Sequence, residues 1–137
     1  MSGQPTGDGR TPAEFRRVVT QDSIDAYAMV SGDHNPLHTD PEFAATTPYG
    51  RTIAHGLLTL GILAEALADW QGPGWSDDAE LDVTFVAPVF SGDEVVITGR
   101  PEDAGSAPRG EGFAYRLACE SGERTVLVGT ARRRSDG

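Results

Sequence analysis

A carboxylate and an imidazole, Asp33 and His38, stand five residues apart in the stretch Ser31-Gly32-Asp33-His34-Asn35-Pro36-Leu37-His38. Two such groups aimed at one point can do general acid–base chemistry, moving a proton to or from a molecule held between them. The neighbouring residue types favour that aim. Gly32 permits a tight backbone, and Pro36 fixes its own φ while pushing Asn35 away from helical geometry. Asp33 and His38 are therefore expected on a stiff loop supported by Ser31, Gly32, Asn35 and Pro36. Taken alone, the same pair also fits an Asx-type turn beside a surface histidine.

Asn35 reads as a backbone-bonding amide rather than a catalytic one, and His34 as solvent-facing. His55 reads as a structural hydrogen-bonding residue at a helix start, outside the catalytic set. Three histidines with Asp33 and Asp40 invite the question of a metal, but the chain has no helical i,i+4 His pair and no Cys–His spacing, so no metal is expected.

These residues need elements to hold them. Phe15 to Thr20 fits a first strand, after which Asp22 caps a short helix with Ile24, Tyr27 and Ala28 on one face. Pro41 to Thr46 follows as a helical turn, with Pro41 at N1 behind Asp40, and Pro48-Tyr49-Gly50 breaks it. From Thr52 to Trp70 the apolar pattern is helical and nearly all-round, which predicts a buried helix roughly 28 Å long. Past a linker at Gln71 to Asp78 the period becomes two. Strands are predicted around Leu81–Phe85, Val95–Thr98, Phe113–Glu120 and Thr125–Ala131, with turns at Ser91-Gly92-Asp93 and Ser121-Gly122-Glu123. One early strand, a long helix and four strands imply an α+β fold, an antiparallel sheet wrapped around that helix. The sheet's free edges suit a homodimer.

The 137 residues match one domain, 13–134, behind a disordered lead, 1–12. Gly105 to Gly112 reads as a hairpin loop, and Trp70 and Trp75 as closing one end of the core. A formal net charge of −10 opposes nucleic acid or anionic lipid as a partner. Arg51, Arg100 and Arg109 remain candidate receivers of a small anionic substrate. The single cysteine, Cys119, excludes an internal disulfide and reads as core. No signal-peptide pattern opens the chain, and the longest apolar run, Ile53 to Leu67, is short for a membrane span. A cytoplasmic protein is expected.

Tyr27-Ala28-Met29-Val30-Ser31-Gly32-Asp33-His34-Asn35-Pro36-Leu37-His38, with Ala44 after five intervening residues, resembles the signature of the MaoC-like dehydratases and (R)-specific enoyl-CoA hydratases. Gly50-Arg51-Thr52-Ile53-Ala54-His55-Gly56-Leu57 is similar to that family's entry into its central helix. The resemblance implies a hotdog fold and reversible addition of water to an acyl chain carried as a thioester of coenzyme A or acyl carrier protein. It implies no other cofactor. Asp33 and His38 match its catalytic positions, and Gly56 the position whose N–H receives the thioester carbonyl oxygen. A hotdog thioesterase, or a non-catalytic acyl-thioester-binding subunit, is the alternative reading, since fold alone does not settle function.

Overall fold

Alternating residues on the strands fix which side of the sheet is wet. The computed structural model describes residues 12–102 and 112–134. Its strands are β1 (Ala13–Val18), β2 (Ala79–Phe85), β3 (Glu94–Pro101), β4 (Phe113–Ser121) and β5 (Arg124–Arg133). They lie in the order β1-β3-β4-β5-β2, every neighbouring pair antiparallel. Val95 and Ile97 on β3, and Phe113, Tyr115, Leu117 and Cys119 on β4, point inward and are buried. The residues between them face the opposite side.

The helices are α1 (Gln21–Ser31), the single turns α2 (Pro36–Thr39) and α3 (Pro41–Ala45), and α4 (Gly56–Gln71). Ile62, Leu63, Ala66 and Leu67 of α4 join the inward face of the sheet in one apolar core. Each fully buried side chain of this size contributes about 1.5–3 kcal/mol. Gly99 is required where Trp70 crosses β3, because a Cβ there would stand 2.5 Å from the indole Cζ3. Trp70 then packs against Tyr115, ring centroids 5.3 Å apart, closing that end of the core. Burial pushes the Tyr115 pKa up, partly offset by the Gln71 amide that donates to its hydroxyl at 2.7 Å.

Several expectations change. The first helix is capped by Thr20, whose Oγ1 accepts from Ser23 N at 3.1 Å, not by Asp22. The first strand correspondingly ends at Val18 rather than Thr20. The long helix begins at Gly56 instead of Thr52 and has 16 residues, about 24 Å. Residues 52–54 are extended because they pair with 89–91: Ala54 N donates to Val89 O at 2.7 Å and Ser91 N to Thr52 O at 3.0 Å. Tertiary pairing overrides the helical pattern there. Nor is α4 buried all round, for Leu57 is 62% exposed and Gly61 and Glu65 share its open side. The expected turns at Ser91-Gly92-Asp93 and Ser121-Gly122-Glu123 form with positive φ at Gly92 and Gly122. Of the predicted N-terminal lead, 1–12, all but residue 12 lies outside the described residues, as do the loop from Gly105 and the candidate Arg109.

Candidate active site

The turn that carries Asp33 is built from consecutive side-chain-to-backbone bonds. α1 ends at Gly32, left-handed at φ 80°, where its N–H donates to Ala28 O at 2.9 Å. Ser31 Oγ then accepts from Asp33 N at 3.1 Å, Asp33 Oδ1 from Asn35 N at 3.3 Å, and Asn35 Oδ1 from Leu37 N at 2.9 Å. Asn35 thereby caps α2, with Pro36 at its first position. So His38 sits on a one-turn helix rather than on the expected loop, because the Pro36 that ends one conformation also starts another. That turn brings His38 Nε2 to 3.9 Å from Asp33 Oδ2.

A second segment closes on the first. Ile53 N donates to Leu37 O at 3.2 Å, and His38 Nδ1–H donates to Ile53 O at 2.8 Å. The latter bond leaves Nε2, facing Asp33, as the unprotonated nitrogen of the neutral ring. Gln21 Nε2 holds His38 O at 2.8 Å, and Thr52 Oγ1 in turn donates to Gln21 Oε1 at 2.5 Å. The Asp33 carboxylate is 53% exposed and the His38 side chain 13%, so one group reaches solvent while the other is walled in.

Gly56 is the first residue of α4, where a backbone N–H has no acceptor within its own helix and points with the positive end of the helix dipole. It borders a cavity of about 300 Å³ lined by Tyr49, Ile53, Thr59, Phe85, Val86 and Val89 among others. The walls are largely apolar.

Of the residues singled out in the sequence, Asp33 and His38 come together by contact; Gly56 is tied to them through the segment 53–56, and the cavity it borders is lined by neither of the two. His55 joins them, though its residue type had marked it only as structural: it is 3% exposed, its ring stacks on His38 at 3.9 Å, and its Nε2 lies 3.0 Å from Asp33 O. The available signal was its place, one residue before the glycine. Donor atoms of Asp33, His38 and His55 lie within 4.8 Å of one another. Nitrogen ligands on one tetrahedral zinc stand about 3.4 Å apart, and each histidine already spends one nitrogen on a backbone carbonyl. His34 is exposed as expected. Arg51 is engaged by Asp93 at 2.9 Å, and Arg100 stands on the outer face of the sheet, away from α4. Neither is placed to receive a substrate at Asp33. No helix among the described residues is long and apolar enough to cross a membrane.

Known proteins resemble this chain in sequence and fold. Residues 5–107 match the model of the MaoC like domain family. An (R)-specific enoyl-CoA hydratase of Aeromonas caviae is 48% identical over 96 residues, 69% of this chain and 70% of that protein. A 3-hydroxybutyryl-CoA dehydratase of Methylorubrum extorquens is 33% identical over 85% of this chain and 73% of its own. The solved R-hydratase PhaJ1 of Pseudomonas aeruginosa superimposes with a TM-score of 0.78 at 26% identity, covering 92% of this chain and 80% of that one, so the sheet wrapped around α4 is a hotdog fold. With its Asp33–His38 turn, hotdog sheet and family match together, this chain belongs to the MaoC-like domain family of hydratases and dehydratases.

Proposed function

We propose that the protein catalyses reversible, stereospecific hydration of a 2-enoyl thioester to a 3-hydroxyacyl thioester, as a hydro-lyase. The observation that carries this is the 3.9 Å gap between Asp33 Oδ2 and His38 Nε2, with His38 Nδ1 tied to Ile53. A water in that gap donates one hydrogen to each group. In hydration Asp33 removes a proton as the water oxygen bonds to C3, and the C2=C3 electrons move onto the thioester oxygen. The Gly56 N–H stabilises that oxyanion. Asp33 then returns its proton to C2, so the elements of water are added across the double bond. No electrons are gained or lost overall, and the step calls on no redox cofactor or metal.

Acid–base assistance of this kind supplies about 10²–10⁴-fold, and one oxyanion donor roughly another 10²–10³-fold. The substrate carrier is coenzyme A or acyl carrier protein, the former favoured because an acidic carrier protein meets a chain of net charge −10. The protein works in the cytoplasm as a homodimer, a reading supported by its two free sheet edges, β1 and β2, and by exposed Met29, Val30 and Leu57.

Crotonyl-CoA tests the reading with two signals from one reaction. Loss of the conjugated-enoyl absorbance without free thiol is expected. Thiol release would make the protein a thioesterase, and silence in both signals, with crotonyl groups on coenzyme A and on carrier protein alike, would make it a binding subunit.

A further inference from the structure

We propose that His55 is a positioning residue for the Asp33–His38 pair, its Nε2–H holding the Asp33 peptide and its ring face holding the His38 imidazole. The inference rests on the hydratase reading above and adds to it the part that sets the pair's geometry.

Two independent observations assign the His55 tautomer. Its Nε2 lies 3.0 Å from Asp33 O, a carbonyl that can only accept, so that nitrogen carries the hydrogen. Its Nδ1 is buried with no hydrogen-bond partner. An orphaned lone pair is cheaper to bury than an orphaned N–H, which again leaves the hydrogen on Nε2. The ring is then gripped on its faces, by His38 at 3.9 Å and an interplanar angle of 25°, and by Tyr27 at 4.8 Å and 59°.

Among the described residues His55 is consequently the side chain that contacts both members of the pair. The other bonds to Asp33 among them are the local ones of its own turn, at 3.1 and 3.3 Å, and its carboxylate faces solvent. The His38 ring is otherwise held by Ile53, two residues before His55, and its backbone carbonyl by Gln21. A chain of contacts runs from Asp33 O through the His55 ring to His38, and through the backbone 53–55 back to His38 Nδ1. Loosening it moves the carboxylate relative to the imidazole, and a displacement of about 1 Å at reacting groups costs on the order of 10²-fold. His55 Nε2 is spent on the Asp33 carbonyl and its Nδ1 is buried, which separates its role from that of the exposed Asp33 carboxylate.

Two substitutions separate the hydrogen bond from the ring. His55→Phe keeps an aromatic face toward His38 and Tyr27 but has no donor for Asp33 O. His55→Gln loses the ring and keeps an amide N–H at about the reach of Nε2. For hydration of crotonyl-CoA, His55→Phe is expected to lower kcat about tenfold to hundredfold with KM within about threefold, and His55→Gln to recover most of that loss. Long-range ¹H–¹⁵N spectra of the native protein, recorded without substrate, are expected to show His55 as the Nε2–H tautomer. The His38 ring proton signals should shift most in His55→Gln, which removes the stacked ring, and least in His55→Phe, which keeps one. An Nδ1–H tautomer at His55, native kcat in His55→Phe, or a His55→Gln variant as impaired as His55→Phe would each overturn the proposal. Should the native protein fail to hydrate crotonyl-CoA while the spectra and the His38 shifts come out as stated, the hydratase reading falls and the positioning role stands.

Discussion

Replacing Gly56 by alanine should separate activity from stability. Gly56 has no positive φ, and an added Cβ would meet only the Phe85 ring, at 3.6–3.8 Å, which is ordinary van der Waals contact. The fold can therefore take the methyl without strain. Removing glycine's freedom in the unfolded chain stabilises by about 0.4–1 kcal/mol where the native backbone suits alanine, so the melting temperature should hold or rise by a few degrees. The same methyl enters the cavity between the Gly56 backbone and Phe85, where a thioester carbonyl must come to reach the N–H. Alanine keeps the N–H, but a carbonyl held away from it by the methyl forfeits that donor, which costs roughly 10²–10³-fold. We expect kcat to fall about 10²-fold, equivalent to about 2.7 kcal/mol of transition-state stabilisation. The assay pairs initial rates on crotonyl-CoA with thermal unfolding. Gly74→Ala serves as the control, since a Cβ there meets only the Asp77 carboxylate, at 3.8 Å: it should fold and keep its rate. A Gly56→Ala enzyme within threefold of native, or one whose activity falls only in step with its stability, would refute the oxyanion assignment.

Three further outcomes follow from the fold. In Gly129→Ala the new Cβ would run into the Asp82 carbonyl oxygen and stand 2.8 Å from Val83 Cα, backbone that cannot yield, so urea unfolding should show a loss of about 1–3 kcal/mol or failure to fold. Asp93 receives Arg51 and Arg124, each at 2.9 Å, and the Phe90 N–H at 2.9 Å; Asp93→Ala should lower stability by about 1–3 kcal/mol and, by loosening 89–91 against 52–54, reduce kcat as well. Burial, aided by Glu120, pushes the Cys119 thiol up from 9.0 to about 12. The folded state keeps that proton longer than the unfolded chain, so the contribution to stability is full below pH 9 and is lost as the pH rises toward 12. Cys119→Ser should flatten that alkaline decline, and alkylation of native Cys119 at pH 8 should proceed only at the rate of unfolding.

Much of this was legible because local rules and tertiary structure agree. Period-two alternation around Phe113–Cys119 left little choice of element or face, and Pro36 and Gly32 gave away the turn at Asp33. The start of α4 was not legible: Thr52-Ile53-Ala54 satisfies a helical pattern, and only their partners at 89–91, distant in sequence, hold them extended. The exposed side of α4 was hidden for a related reason, since Leu57 is as apolar as Leu63 and only the position of the sheet distinguishes them. The role of His55 is hidden in the sequence because a histidine before a helix has many structural uses. Its value lies in a stacking partner 17 residues earlier and a carbonyl 22 residues earlier.

Turnover by Asp33→Asn tests the general-base role most directly. The amide keeps the side chain's shape and the bond from Asn35 N while removing its ability to take a proton. Rates on crotonyl-CoA across pH 6–9, with folding checked by thermal melt, should fall about 10²–10⁴-fold throughout. A correctly folded Asp33→Asn protein that hydrates within a few fold of native would contradict the role, and the water would have to be activated by some other group.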